Sequence, residues 1–273
     1  PETVERSLSN YIKAKFCFSL NLKRENNVEL KKLCTMRKTT FLKIFVLIFV
    51  FLQHFNSYSQ NFIPFAPRYN QDIKGDMLLI GNSILNRAPN PNTVYNGSDY
   101  NSNFSMQFIN IDNGATPGVF NSSSANLVVP NSNKPNTPCY KIRYAALYWG
   151  AVTRGAAPIT NVKFKMPTGG YNDVTGTVIY NAGAAVIGTS KPYACFADVT
   201  SLVTSAANAN PEGTYTLANV SSAVGSNGGT GLSAGWSLFI VYEDPKLPTK
   251  SITSFDGFSA ISATSNLDIP VSG

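Results

Sequence analysis

Between residues 76 and 258 the apolar positions recur mostly at every second residue, in short runs broken by Gly, Pro, Asn and Asp. That is the period of half-buried strands rather than of helices. Asp76–Leu85 predicts a first strand with Gly81 marking a bulge. Residues 61–76, interrupted by Pro64, Pro67 and Gly75, predict an irregular lead-in. A loop over 86–103 holds Pro89, Pro91 and the turn pair Asn96-Gly97. Phe104–Ile111 then predicts a strand, closed by Asp112-Asn113-Gly114, residues that tolerate the positive φ of a tight turn. Asn126–Val129 predicts a shorter strand, ended by Pro130.

Two runs dominate the pattern. In Cys139–Gly150, the residues Ile142, Tyr144, Ala146 and Tyr148 share one face. On the other, Arg143 gives way to Ala145, Leu147 and Trp149, so the strand becomes apolar on both sides. In Trp236–Glu243, the set Trp236, Leu238, Ile240 and Tyr242 opposes Phe239 and Val241. Both faces are apolar, which predicts a central strand covered on both sides and ended by Asp244-Pro245. Between them, Val162–Met166 and Val174–Tyr180 flank the turn residues Pro167, Gly169 and Gly170 and predict an antiparallel pair.

Ala194–Ala207 carries the strongest helical signal, with Asp198 as N-cap and Val199, Leu202, Val203 and Ala206 on one stripe. Tyr215–Val220 predicts a strand, residues 225–235 a glycine-rich hairpin loop, Ser251–Phe258 a strand, and the neighbourhood of Ile261 a weak one. Short strands with turns between them and one short helix near 198–207 predict an all-β fold, a two-sheet antiparallel β-sandwich or jelly roll. No repeat of 20–50 residues argues for a solenoid or propeller.

Ahead of this region, Met36–Gln60 follows another plan. Arg37, Lys38 and Lys43 precede the apolar run Ile44–Leu52, and Ser57-Tyr58-Ser59 supplies a small-x-small site before Gln60. That is the order of a secretory signal peptide, with cleavage expected between Ser59 and Gln60. A retained anchor is the alternative, but the run rises only about 14 Å as a helix against a hydrocarbon core of roughly 30 Å. Three parts are therefore expected: 1–35, read as upstream sequence wrongly included in the translation or else a genuine extension; 36–59, the signal peptide; and 60–273, the exported domain. The ending Pro270-Val271-Ser272-Gly273 has no polar tail, and a fragment truncated at its C-terminus is expected.

The split changes the charge picture. The chain has 22 basic and 15 acidic residues, a net charge of +7. Ten of the basic and four of the acidic residues precede Gln60, which leaves 12 and 11 in the exported part. The basic balance that would favour nucleic acid thus sits mostly ahead of the domain, and no nucleic-acid partner is expected. Lys163 and Lys165 alternate with Val162, Phe164 and Met166 as a solvated strand face.

The single histidine, His54, also lies in the leader. Without it the exported domain cannot assemble a Ser-His-Asp or Cys-His pair or a His-ligated metal, whereas chemistry by paired carboxylates survives. Cys139 and Cys195 remain; in an exported protein such a pair reads first as a disulfide, and otherwise as two buried thiols. Closing a loop of about 57 residues would stabilise by about 4 kcal/mol.

Other candidate chemistry reads as structure. Asn110-x-Asp112-Asn113-Gly114 lacks the spacing and closing Glu of a calcium loop and reads as a turn. Glu243 and Asp244 are adjacent and point to opposite faces of a strand, so they do not form a glycosidase pair. Gly225, Gly228, Gly229, Gly231 and Gly235 do not lead a strand into a helix, as a phosphate cradle requires. Trp149 and Trp236 would stack on sugars if exposed, but each lies in an apolar strand and reads as core. No catalytic residue, metal ligand or cofactor is expected.

The segments YAALYWGAVT (144–153), YACFADVTSLV (193–203) and GWSLFIVYEDP with ITSFDGF (235–258) resemble the N-terminal region of large adhesin-like surface proteins of gliding bacteria. Those proteins end in a gliding-motility-type sorting domain read by the type IX secretion system. The resemblance covers roughly 75–270. It implies a β-rich, exported, surface-attached or released protein and brings no catalytic residues. The expected function is a non-catalytic adhesion or envelope structural domain, outside the cell or on its surface. Its expected partners are surface polysaccharide or other envelope proteins, with the secretion machinery engaging a C-terminal domain absent from this sequence. The alternative is an extracellular carbohydrate-binding or carboxylate-based polysaccharide-hydrolysing domain.

Overall fold

The structure, a computed structural model, describes residues 62–92, 101–129, 140–155, 158–182, 190–205, 210–226, 231–259 and 268–269. All of them belong to one compact unit, Ser59–Gly273. The predicted leader with its Ser59/Gln60 site, Cys139 and the weak strand near Ile261 lie outside the described residues.

In chain order the first strands are β1 (Phe62–Ser83), β2 (Leu85–Arg87), β3 (Met106–Phe108), β4 (Ser122–Leu127), β5 (Lys141–Thr153) and β6 (Asn161–Lys165). There follow β7 (Tyr171–Thr175), β8 (Thr177–Asn181), β9 (Lys191–Asp198), the short helix α1 (Thr200–Val203), β10 (Gly213–Ala218), β11 (Ala234–Glu243) and β12 (Thr249–Ser259). They form a six-stranded sheet in the order β12-β1-β11-β5-β9-β8, a four-stranded sheet β4-β10-β6-β7, and a small β2-β3 ribbon. Every named pairing is antiparallel. The chain is an all-β protein whose sheets pack as a sandwich.

Alternation decides which side chains enter the main core. On β5, Ala145, Leu147, Trp149 and Ala151 turn inward, and on β11 so do Trp236, Leu238 and Ile240. Opposite them stand Val162 and Phe164 of β6 and Tyr215 and Leu217 of β10. The register places Leu147 beside Leu238, Trp149 beside Trp236, and Phe164 beside Leu217. Leu147, Leu238, Phe164 and Leu217 are each 0% exposed, and each such burial stabilises by about 1.5–3 kcal/mol. Both indoles keep a partner: Trp149 Nε1 donates to the Ile159 carbonyl at 2.8 Å, and Trp236 Nε1 to Ser123 Oγ at 2.9 Å.

The other face of β5 and β11 carries Tyr144, Ala146, Tyr148, Phe239 and Val241, which pack with Tyr69 and Ile73 of β1 and Ile252 of β12. This second layer exists because β1 changes partner midway. Phe62–Lys74 pairs with β12, and Gly75–Ser83 pairs with β11. The turn between β11 and β12 is fixed at Asp244, whose N–H donates to the Lys74 carbonyl at 2.8 Å and whose Oδ1 accepts from Lys246 N at 2.9 Å. The ribbon of β12 and the first half of β1 lies over the outer aromatic face. Tyr69 stacks on Tyr144 at 4.7 Å between ring centroids, and Phe258 stacks on Tyr180 at 3.8 Å.

Several elements differ from the sequence reading. The lead-in 61–76 is largely strand, not irregular. Its prolines are accommodated where the ladder shifts register, between Ile63 and Ala66 and between Pro67 and Tyr69, so their missing N–H groups cost little. Gly81 marks no bulge, because pairing with β11 runs unbroken through it. Instead, a Cβ at Gly81 would meet the Trp236 backbone.

The run 174–180 is two strands, not one: β7 stays with β6, and β8 joins the other sheet. Gly176 makes the switch, at a place where a Cβ would collide with the Trp149 ring. Residues 191–198, partly read as helix, form β9, since alternate burial of Tyr193, Cys195 and Ala197 fills the core. The helix shrinks to α1 with Val199 at its N-cap, and the Asp198 carboxylate accepts from Thr200 N at 2.9 Å. Val199 and Val203 are buried, as the stripe predicts.

A register shift at Val241/Tyr242 skips Arg143, so Ile142 pairs with Tyr242 and leaves the face of Tyr144. The strand predicted over Phe104–Ile111 is only β3, followed by an isolated bridge between Asn110 and Ser122.

Candidate functional site

A concavity lined largely by amides and hydroxyls lies at the seam between the sheets. As β1 leaves β11 it passes through Ile84, fully buried, into β2, whose ribbon with β3 closes this end of the sandwich. Ile84 N donates to the Ala234 carbonyl at 2.8 Å, and Ile109 N to the Ile84 carbonyl at 2.9 Å. Between this ribbon, the end of β1 and β4 opens a pocket of about 530 Å³. Its polar lining includes Asn82, Ser83, Asn92, Ser123, Ser124 and Ser233, and its apolar lining Leu85, Met106, Ile109 and Ile111. None of the described lining residues is ionisable.

The amides are held in place by the backbone around them. Asn82 Nδ2 donates to the Ser124 carbonyl at 2.8 Å while its Oδ1 accepts from Ser83 N at 2.8 Å. Asn92 Oδ1 accepts from Asn110 N at 3.1 Å. Asn86, 3% exposed, donates to the Pro91 carbonyl at 2.8 Å and accepts from Arg87 N at 2.8 Å. An amide offers two N–H groups and two lone-pair sites, so one bond of each kind orients Asn82 without exhausting it.

A second cavity, of about 510 Å³, lies under the ribbon on the outer face. Phe65, Leu79, Tyr148, Ile179, Phe239 and Phe255 wall it, with Asp256 at its side. Asp256 accepts from Arg68 Nε at 2.7 Å and Nη2 at 3.0 Å, and from Tyr148 at 3.4 Å. The guanidinium also sits 4.5 Å from the Phe196 ring centroid. Its ordinary pKa is raised, first by the bond to Asp256. The ion pair ties the two strands of the ribbon to each other, and Tyr148 on Asp256 and Arg68 over Phe196 hold the ribbon to β5 and β9, so the cavity is a packing gap beside an anchor.

Other carboxylates are spent in the same way. Asp76 is held below its ordinary range, chiefly by Lys250. Asp173 pairs with Lys163 at 2.7 Å, and Glu243 pairs with Arg143. Glu212 accepts from Val129 N at 2.7 Å. Asp112 accepts from Thr116 N at 2.7 Å and Thr116 Oγ1 at 2.9 Å. Asn113 and Gly114 beside it take φ of 50° and 80°, so this segment is the expected turn. Among the described residues no group of three or more His, Cys, Asp or Glu is arranged to hold a metal ion.

Of the expected pair Cys139 and Cys195, only Cys195 lies among the described residues. Cys195 carries a free thiol, 0% exposed. It faces the core of β9, and Sγ donates to the Ile159 carbonyl at 3.4 Å. Burial pushes this thiol up to about 11, far from a reactive thiolate. Trp149 and Trp236, at 2% and 5% exposure, are core residues as read and offer no stacking platform. The seam pocket was missed because Asn and Ser in that stretch read as turn formers, and six separate segments contribute to it. No protein-family model, curated protein or solved structure matches the chain.

Proposed function

We propose that residues 60–273 form an exported, non-catalytic β-domain, an adhesion or structural module of the cell envelope. The observation that carries this reading is the use the fold makes of eight of its carboxylates. Asp76, Asp112, Asp173, Asp198, Glu212, Glu243, Asp244 and Asp256 each hold a cation, a hydroxyl or a backbone N–H of their own neighbourhood. A hydrolytic pair instead faces a cleft, one acid protonated and the other free to attack or to activate water. Adhesion asks for a rigid frame and a shaped surface, which the two-layered covering of β5 and β11 supplies. Carbohydrate binding without hydrolysis is the second reading, favoured by the seam pocket.

Export is part of the proposal: the Met36–Gln60 leader directs the chain through the inner membrane, and a type IX sorting domain outside this sequence carries it to the surface. Fractionation of the producing cells, followed by intact-mass analysis, tests it. The released or surface-bound protein is expected to begin at Gln60 and to be digested when protease is added to whole cells. A cytoplasmic, protease-protected protein retaining Met36 contradicts it.

A further inference from the structure

We infer that the seam pocket is a binding site for a neutral saccharide unit. The inference rests on the adhesion reading and gives that surface its ligand class. The pocket's volume, about 530 Å³, lies within the range of small-molecule sites. Its lining combines amides and hydroxyls with an apolar wall and has no ionisable group among the described residues. An ionic ligand would lose its hydration there with no opposite charge among the described lining residues in return. A purely apolar ligand would cover the second N–H and the second lone pair of Asn82 and Asn92 without offering them a partner.

A sugar fits both halves. Its hydroxyls donate and accept at once, matching side chains that do the same, while its C–H face lies against Met106 and Ile111. Asn82 is oriented by its bonds to Ser124 and Ser83, and Asn92 by Asn110, so little order has to be gained on binding. Ser123 ties the site to the core, because its Oγ already accepts from Trp236 Nε1. A pocket with fixed donors and acceptors rejects analogues that lack the matching hydroxyl, and this gives specificity without charge.

The test uses the protein as released by its cells. Saturation-transfer NMR and calorimetric titration are run with methyl glycosides of glucose, galactose, mannose, fucose and N-acetylglucosamine, with glucuronate and galacturonate as charged counterparts. At least one neutral glycoside is expected to bind, at least tenfold more tightly than the uronates. Asn92→Ala is expected to weaken it about fivefold, and Asn92→Ala with Ser124→Ala tenfold or more, with the melting temperature of both variants held. Absence of binding by every neutral glycoside overturns the inference, as do equal binding of the uronates and unchanged affinity in a folded double variant. Beads carrying the wild-type and double-variant proteins are also layered on envelope polysaccharide. Adhesion by wild type without any glycoside binding overturns the saccharide site and leaves adhesion standing. No adhesion and no glycoside binding removes both.

Discussion

The two faces of the six-stranded sheet are closed by different means. Towards β4, β6, β7 and β10 aliphatic and aromatic side chains close it together, with Leu147, Leu238, Ile240, Phe164 and Tyr215 at 0% exposure. Towards the ribbon of β12 and the first half of β1 it is aromatic and tied by polar contacts, through Tyr69 on Tyr144, Arg68 over Phe196 and Tyr148 on Asp256. It leaves a cavity of about 510 Å³ and a Leu79 that is 67% exposed. The first face sets stability, since every apolar area there leaves water. The second face sets shape: the ion pair of Arg68, 39% exposed, with Asp256 joins the strands of the ribbon at little gain in energy, and Arg68 over Phe196 with Tyr148 on Asp256 fixes where the ribbon lies.

The largest contrast should come from paired truncations. Phe164→Ala on the inner face, where the ring packs against Tyr215 at 5.8 Å, is expected to cost about 3–5 kcal/mol in urea unfolding. Phe239→Ala on the outer face should cost clearly less, about 1–2 kcal/mol, because its surroundings are only partly closed. Equal losses would break the distinction. Next in size, Ser123→Ala strips the buried Trp236 indole of its acceptor and is expected to cost about 1–3 kcal/mol, read by the same unfolding curves. Smaller still, Asp256→Asn is expected to cost about 1 kcal/mol or less. Its signature is local: amide hydrogen exchange should quicken across β12 and residues 62–74 while β5 and β11 stay protected.

At neutral pH the smallest effect is zero and grows only in alkali. The Cys195 thiol and the Tyr144 phenol are raised in the folded protein, to about 11 and about 12, both first by burial. Groups raised on folding contribute stability that is intact below their unfolded pKa and is lost as pH climbs through the folded value. Stability should therefore be flat to about pH 9 and fall between 9 and 12, and Cys195→Ala should remove the earliest part of that fall. A steep loss between pH 6 and 8 would contradict this.

What was legible in the sequence followed from period. Trp149 and Trp236 were placed inward, and Phe239 and Val241 outward, because two-sided strands declare both faces by alternation. The turn at Asp112-Asn113-Gly114 was legible because its chemistry is local. What was lost was tertiary. Pro64 and Pro67 hid a strand whose ladder bends around them, and Gly176 read as mid-strand although Trp149 forces the chain to change sheets there. The helix period over Val199–Ala206 overshadowed β9, which ends one residue before it. For Cys195, alternation within β9 explains the core position, while the bridge to Cys139 rests on compartment logic alone. The seam pocket was invisible, since Asn82, Asn92 and Ser124 come together only when β1 crosses to β2.

The idea most exposed to refutation is that this domain's carboxylates hold its frame together and do not cut a substrate. The direct measurement is reducing-end release from envelope polysaccharide incubated with the purified exported protein. The expected result is retention of polymer by the protein with no reducing ends above the buffer control. Steady release of reducing ends, abolished by Asp256→Asn or Glu243→Gln in a folded protein, would contradict it.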